Sequence, residues 1–163
     1  MKLFNYKKKK GETITAEDQA LAIDPHDAPA LSNKGDTLYG LGRYAEAIPC
    51  YDKALEIDPR NALAWSNKGD TLDSLGRHAE AIPCYDKAIA IDPSNARVWY
   101  NKGADLGELK RYEESLACFD QGLAIEPREA GAWVGKGLSL QGLGRHEEAK
   151  KCFERASSLG YKP

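Results

Sequence analysis

A period of 34 residues organises most of this chain. Gly35, Gly69, Gly103 and Gly137 stand 34 apart, as do Cys50, Cys84, Cys118 and Cys152, and Pro25, Pro59, Pro93 and Pro127. Trp65, Trp99 and Trp133 keep the same step, with Leu31 in the slot one period earlier. A fixed period of this length specifies a stacked array, in which each unit buries its apolar face only against its neighbours. An array offers a long surface and not a closed reaction centre. The period divides the chain into residues 1–27, an N-terminal tail plus a partial repeat helix, and four repeats at 28–61, 62–95, 96–129 and 130–163.

Each repeat reads as two helices. With slots numbered from the start of a repeat, repeat 2 places Trp65, Gly69 and Leu72 at slots 4, 8 and 11, and steps of four and three mark one helical face. Ala81, Tyr85 and Ala88 do the same in its second half. Leu75-Gly76-Arg77 between them reads as a helix end followed by a new start. The Asp-Pro pair then closes the repeat, and Asn61 or Asn95 is placed to cap the next helix. Antiparallel helix pairs are expected to break near Gly42, Gly76, Lys110 and Gly144. Pro49 and Pro83 are expected to bend the second helices slightly.

The pattern resembles the tetratricopeptide repeat, W-x2-L-G-x2-Y…A-x3-F…A…P over 34 residues. Repeat 2 carries Trp65, Gly69, Leu72, Ala81, Tyr85, Ala88 and Pro93 in matching slots, and the match runs over residues 28–163. The resemblance implies an all-α fold, an α-solenoid in which antiparallel helix pairs wind into a right-handed superhelix. Some slots depart from the family. Lys34, Lys68, Lys102 and Lys136 replace its Leu, and they are expected to lay their alkyl stems on apolar surface. Ser115 and Gly122 replace Ala in repeat 3, whose second helix is therefore expected to be the loosest. Tyr161 takes the slot of the closing Pro.

At 100° per residue the far side of the first helices carries slots 2, 5, 6, 9, 12 and 13. The resemblance implies that this side lines a concave peptide-binding groove. Its candidate residues are Asn33, Asp36 and Tyr39 in repeat 1, Asn67, Asp70 and Asp73 in repeat 2, Arg97, Tyr100, Asn101 and Glu108 in repeat 3, and Val134 and Leu138 in repeat 4. Pro29, Ser32, Leu63, Ser66, Gly131 and Gln141 share that side. Asn33, Asn67 and Asn101 form a ladder of amides able to bond an extended backbone, or else a solvent-facing polar stripe. The acids make the middle of the groove negative, and repeat 4 makes its end apolar. A partner with basic residues followed by an apolar one fits. The carboxylate clamp of some family members, built from Lys and Arg, is missing: slots 5 and 9 of repeat 1 hold Ser32 and Asp36.

No catalytic motif accompanies this pattern, so the expectation is a non-catalytic protein–protein interaction scaffold with no cofactor and no metal. Asp70 and Asp73 share a helical face and could hold a cation weakly, although a solvated acidic surface is the simpler account. His78 and His146 share slot 17 with Tyr44 and Tyr112, a packing slot at a helix start. The net charge of −2 advertises no nucleic-acid partner. No apolar run approaches the ~20 residues that would span a membrane. Met1–Lys10 has basic residues but no apolar stretch of a secretory leader, and four cysteines that cannot converge along a rod fit a reducing, cytoplasmic setting. The run Lys7–Lys10 reads as a solvated tail in preference to an anionic-lipid or nucleic-acid anchor. Thr15-Ala-Glu-Asp18 reads as a capping box opening a helix to about Ile23.

A structural alternative is self-assembly through uncapped ends, giving a homo-oligomer. Phe153 and Ala156 are expected to lie uncovered on the last helix. At the other end Leu21 and Ile23 lack a partner helix, unless Leu3, Phe4 and Tyr6 fold back over them.

Overall fold

The computed structural model describes residues 15–162, and among these there are nine α-helices and no strand. They are α1 (Ala16–Ile23), α2 (Ala28–Gly40), α3 (Tyr44–Ile57), α4 (Ala62–Ser74), α5 (His78–Ile91), α6 (Ala96–Glu108), α7 (Tyr112–Ile125), α8 (Ala130–Gly142) and α9 (His146–Ser158). The readings placed on Lys7–Lys10 and on Leu3, Phe4 and Tyr6 lie outside the described residues.

Local chemistry ends each helix where the sequence punctuates it. Gly42, Gly76 and Gly144 adopt φ of 72°, 70° and 73°, and Lys110 takes the same slot at 59°. At the first of these, the Arg43 amide donates to the Leu38 carbonyl and the Gly42 amide to that of Tyr39, which satisfies the last carbonyls of α2. First helices open on side-chain caps: Asp27, Asn61 and Glu129 accept from the amides of Ala30, Ala64 and Gly131. Asn95 stands at the cap position of α6 without a side-chain cap bond, although its carbonyl accepts from the Val98 amide. Thr15 and Asp18 form the capping box on α1. Helices α3 and α5 run unbroken through Pro49 and Pro83. In every second helix of the four repeats an Arg before its start bonds a Glu three residues on, as Arg77 does to Glu80 through Nε and Nη2, both at 2.7 Å.

Within a repeat, the two helices meet through a ring seated on a glycine. A Cβ on Gly35 would lie 2.6 Å from Tyr51, one on Gly69 2.5 Å from Tyr85, and one on Gly137 2.5 Å from Phe153. Gly103 against Phe119 is looser, at 3.1 Å. At Gly35, Gly69 and Gly137 a bare backbone is required, which explains a glycine in the middle of a helix despite a propensity cost of ~1 kcal/mol.

Between repeats, two ladders recur. The Trp65, Trp99 and Trp133 indoles donate to the carbonyls of Pro59, Pro93 and Pro127 at 2.9–3.1 Å. Lys34, Lys68, Lys102 and Lys136 reach back to Asp18, Asp52, Asp86 and Asp120 of the preceding second helix at 2.5–2.6 Å. The lysines thus end on a carboxylate, beyond the stem packing expected of them. Lys68 and Lys136 pass over the rings of Trp65 and Trp133 on the way. Asp18 shows that α1 plays the part of a preceding second helix.

Among the described residues the backbones of first helices approach those of the first helices in neighbouring repeats, whereas no two second helices come as near, so the first helices line the inside of the curve.

Two expectations are corrected here. Repeat 3 is not left loose by Ser115 and Gly122. The Ser115 hydroxyl donates to the Gly103 carbonyl at 2.6 Å and lies 2.8 Å from that of Ser139, while the Tyr100 ring fills the space that a side chain on Gly122 would need. At the last repeat, Phe153 and Ala156 are not an open face. They turn toward α8 of their own repeat, and Ala156 is 1% exposed.

Substituting Gly69→Ala should lower stability by roughly 1–3 kcal/mol, because the buried Tyr85 ring has nowhere to go. Lys110→Gly should raise it by ~0.5–1 kcal/mol by relieving a left-handed backbone. Urea melts followed by circular dichroism check both signs.

Candidate interaction groove

The inner face is built from α2, α4, α6 and α8, and its middle is a hydrogen-bonded relay. The Tyr51 hydroxyl donates to Asp36 at 2.7 Å, and the Asn67 amide of the next repeat donates to the same oxygen at 2.8 Å. One repeat on, Tyr85 and Asn101 donate to Asp70 at 3.1 and 2.8 Å. Arg97 adds an ion pair to the other oxygen of Asp70 at 2.7 Å and reaches Ser66. Burial and the neighbouring Asp36 push the Tyr51 hydroxyl well above the usual phenol range, and burial and Asp70 do the same for Tyr85, so both remain donors.

The amide ladder is therefore partly committed. Asn67 and Asn101 each use a donor to tie one repeat to the one before, and Asn33 stands exposed. Asp70 is neutralised by Arg97. Asp36 accepts from neutral donors alone among the described residues. Asp36, Tyr39, Tyr51, Asn67 and Asp70 line an open depression of ≈ 120 Å³. Tyr39 rises at its edge, its ring 5.3 Å from that of Tyr44.

Other candidates fall elsewhere. Ser32 and Ser66 are buried beneath the face. Tyr100 is half-buried. Its ring stacks on Phe119 and its hydroxyl donates to the Glu126 carbonyl at 2.7 Å, so it serves packing. Glu108 is exposed at the end of α6. Toward repeat 4 the face turns apolar, with Leu138 55% exposed beside Val134, and Leu63 on α4 is 57% exposed.

Asp73 is not brought to Asp70. It turns to the next helix, where the His78 Nδ1 lies 3.1 Å from its carboxylate and 2.9 Å from that of Asp105 on α6. Asp105 is 1% exposed, and one of its oxygens has no partner. Burial pushes its carboxyl up, to about 7, against the pull of His78, and the bond to Asp105 raises His78 in turn. Sequence reading missed Asp105. The signal was present: its slot holds Thr37, Thr71 and Ser139 in the other repeats.

Tetratricopeptide repeat models match residues 32–96, 96–129 and 130–159. The chain belongs to the tetratricopeptide repeat family. Members of this family are generally non-catalytic scaffolds for contacts between proteins, and the nine helices stack as the all-α solenoid of that family. Similar solved structures are those of MamA. One, a crystal structure of MamA, is 24% identical, covers 88% of this chain and 84% of that one, and has a TM-score of 0.85. MamA from Desulfovibrio magneticus RS-1, from residue 41 to its end, is 22% identical over 88% of this chain and 81% of that one, with a TM-score of 0.83. At such identities the likeness is one of fold. A search of curated proteins gave no match. Among the described residues no helix is long and apolar enough to cross a membrane.

Asp70 holds three donors together, so Asp70→Ala should lower stability by roughly 1–3 kcal/mol. Glu108→Ala, on an exposed turn, should stay within about 0.5 kcal/mol of the parent. Thermal melts of the two variants side by side check the contrast.

Proposed function

We propose that the chain is a non-catalytic scaffold that holds an extended, basic peptide segment of a partner protein along its inner face. The depression lined by Asp36, Tyr39, Tyr51, Asn67 and Asp70 carries this reading. It is large enough for the head of one Lys or Arg side chain, Asp36 supplies charge, and the Tyr39 ring offers a face to a cation. The remaining valences of Asn33, Asn67 and Asn101 suit a peptide backbone, and Leu138 with Val134 suits a following apolar side chain. Glu108 supplies further negative charge between the two. The four free thiols fit a reducing, cytoplasmic setting.

Anisotropy of labelled peptides tests it. Peptides with a basic residue followed by an apolar one should bind, and added salt should weaken them. Asp36→Asn keeps the acceptor for Tyr51 and Asn67 while removing the charge, and with Glu108→Gln it should reduce affinity at unchanged melting temperature. Preference for acidic tails, or indifference to these two substitutions, would overturn the groove reading.

A second reading, self-association through the ends, has two observations in its favour. Glu154 on α9 occupies the slot from which Asp18, Asp52, Asp86 and Asp120 each hold the lysine of a following repeat, and it stands exposed. Ile23 at the other end is 88% exposed. A head-to-tail contact of this kind gives open chains or rings. Sedimentation should show mass rising with concentration, and Glu154→Lys should reverse it. A single monomeric species throughout would rule it out.

A further inference from the structure

Two acidic departures from the repeat meet a histidine at the junction of repeats 2 and 3. Slot 10 holds Thr37, Thr71 and Ser139, but Asp105 in repeat 3. Slot 17 alternates, with Tyr44 and Tyr112 in repeats 1 and 3 and His78 and His146 in repeats 2 and 4. Slot 12 holds Tyr39, Gly107 and Gln141, but Asp73 in repeat 2. Asp73 at the end of α4, His78 at the start of α5 and Asp105 in the last turn of α6 bring one ligand atom each within 4.8 Å of one another.

We propose that Asp73, His78 and Asp105 form a binding site for a divalent transition-metal cation, zinc above all, at the junction of repeats 2 and 3. Neither the family nor the groove reading requires such a site, so its test stands apart from theirs.

Hydrogen bonding leaves the cluster incompletely satisfied. The His78 Nδ1 faces carboxylate oxygens at 2.9 and 3.1 Å, and its single N–H cannot align with both. The second oxygen of Asp105 is buried with no donor at all. A buried carboxylate with an unmet oxygen is costly unless a charge compensates it. A cation held by Nδ1 and both carboxylates replaces one shared proton with a partner for all three groups.

The spacing suits the ion. Tetrahedral zinc with ligands at ~2.0–2.1 Å sets them about 3.3 Å apart, so the atoms now in hydrogen-bond contact need to open only slightly. The freedom exists at the surface side: His78 follows the left-handed turn at Gly76, and the Asp73 side chain is 49% exposed. Solvent reaches the cluster from there and supplies the fourth ligand. One imidazole among two carboxylates favours zinc, cobalt or nickel over magnesium and calcium, which take oxygen ligands. Bound ion would tie the turn inside repeat 2 to the first helix of repeat 3.

Calorimetric titration of chelator-treated full chain with zinc alone tests this. One ion per chain should bind, raising the melting temperature, with cobalt competing and magnesium and calcium not. His78→Gln should weaken zinc by more than the ~10–100-fold that loss of an outer-shell partner costs. Asp73→Asn, on the exposed side, should weaken it about tenfold or more. Asp105→Asn should abolish it if the chain still folds; if it does not fold, the other two variants carry the test. Cys50→Ser and His146→Gln should bind as the parent does. No uptake by the parent, or uptake that survives His78→Gln, would overturn the site.

Discussion

An aromatic ring resting on a glycine governs how each helix pair meets, and the groove inherits its chemistry from that ring. Tyr51 on Gly35 and Tyr85 on Gly69 carry hydroxyls that emerge on the inner face and meet Asp36 and Asp70. Those carboxylates then hold Asn67 and Asn101 of the following repeat. In repeats 3 and 4 the ring is Phe119 or Phe153, with no hydroxyl to place, and the matching groove positions are Ala104 and Leu138. The polar stretch of the groove ends where the tyrosines end. Core packing and surface chemistry are one pattern read on two sides of a helix.

Stacking the pairs is the work of many modest contacts. The lysine–aspartate pairs are half-exposed, and such pairs are worth ~0–1 kcal/mol each. The indole–carbonyl bonds are of similar size, about 1 kcal/mol net. Neither ladder holds the array alone. Together they fix the rotation of each repeat on the last, because Trp and Lys leave the same first helix and reach different parts of the preceding unit. Trp65 touches the apolar clusters of repeats 1 and 2 at once, and Trp133 those of repeats 3 and 4. Stability of this kind is a sum over neighbours.

Periodicity made the helices legible, down to the turns at Gly42, Gly76, Lys110 and Gly144, because turn chemistry and apolar spacing are local. What stayed hidden were partners chosen in three dimensions. Asp18, Asp52, Asp86 and Asp120 recur in step with the lysines, yet nothing in the linear chain says that a side chain 16 residues back lies opposite. Ser115 and Gly122 looked like weaknesses when each was compared with its own column. Their compensation by Ser139 and Tyr100 comes from other helices. The groove acids were counted as free charge for the same reason: Arg97 meets Asp70 only once α4 and α6 are side by side.

The indole ladder also fixes what light can report about this molecule. Each tryptophan is seated at a boundary between repeats, bonded to the loop that enters its own unit. Intrinsic emission therefore samples three joints, and the shift to longer wavelength on unfolding marks water reaching those joints. The first boundary, between α1 and α2, carries Leu31 instead of an indole. Fraying that begins there leaves the emission spectrum silent while helical content already falls. An array that opens from its first end would look cooperative by one optical probe and graded by the other.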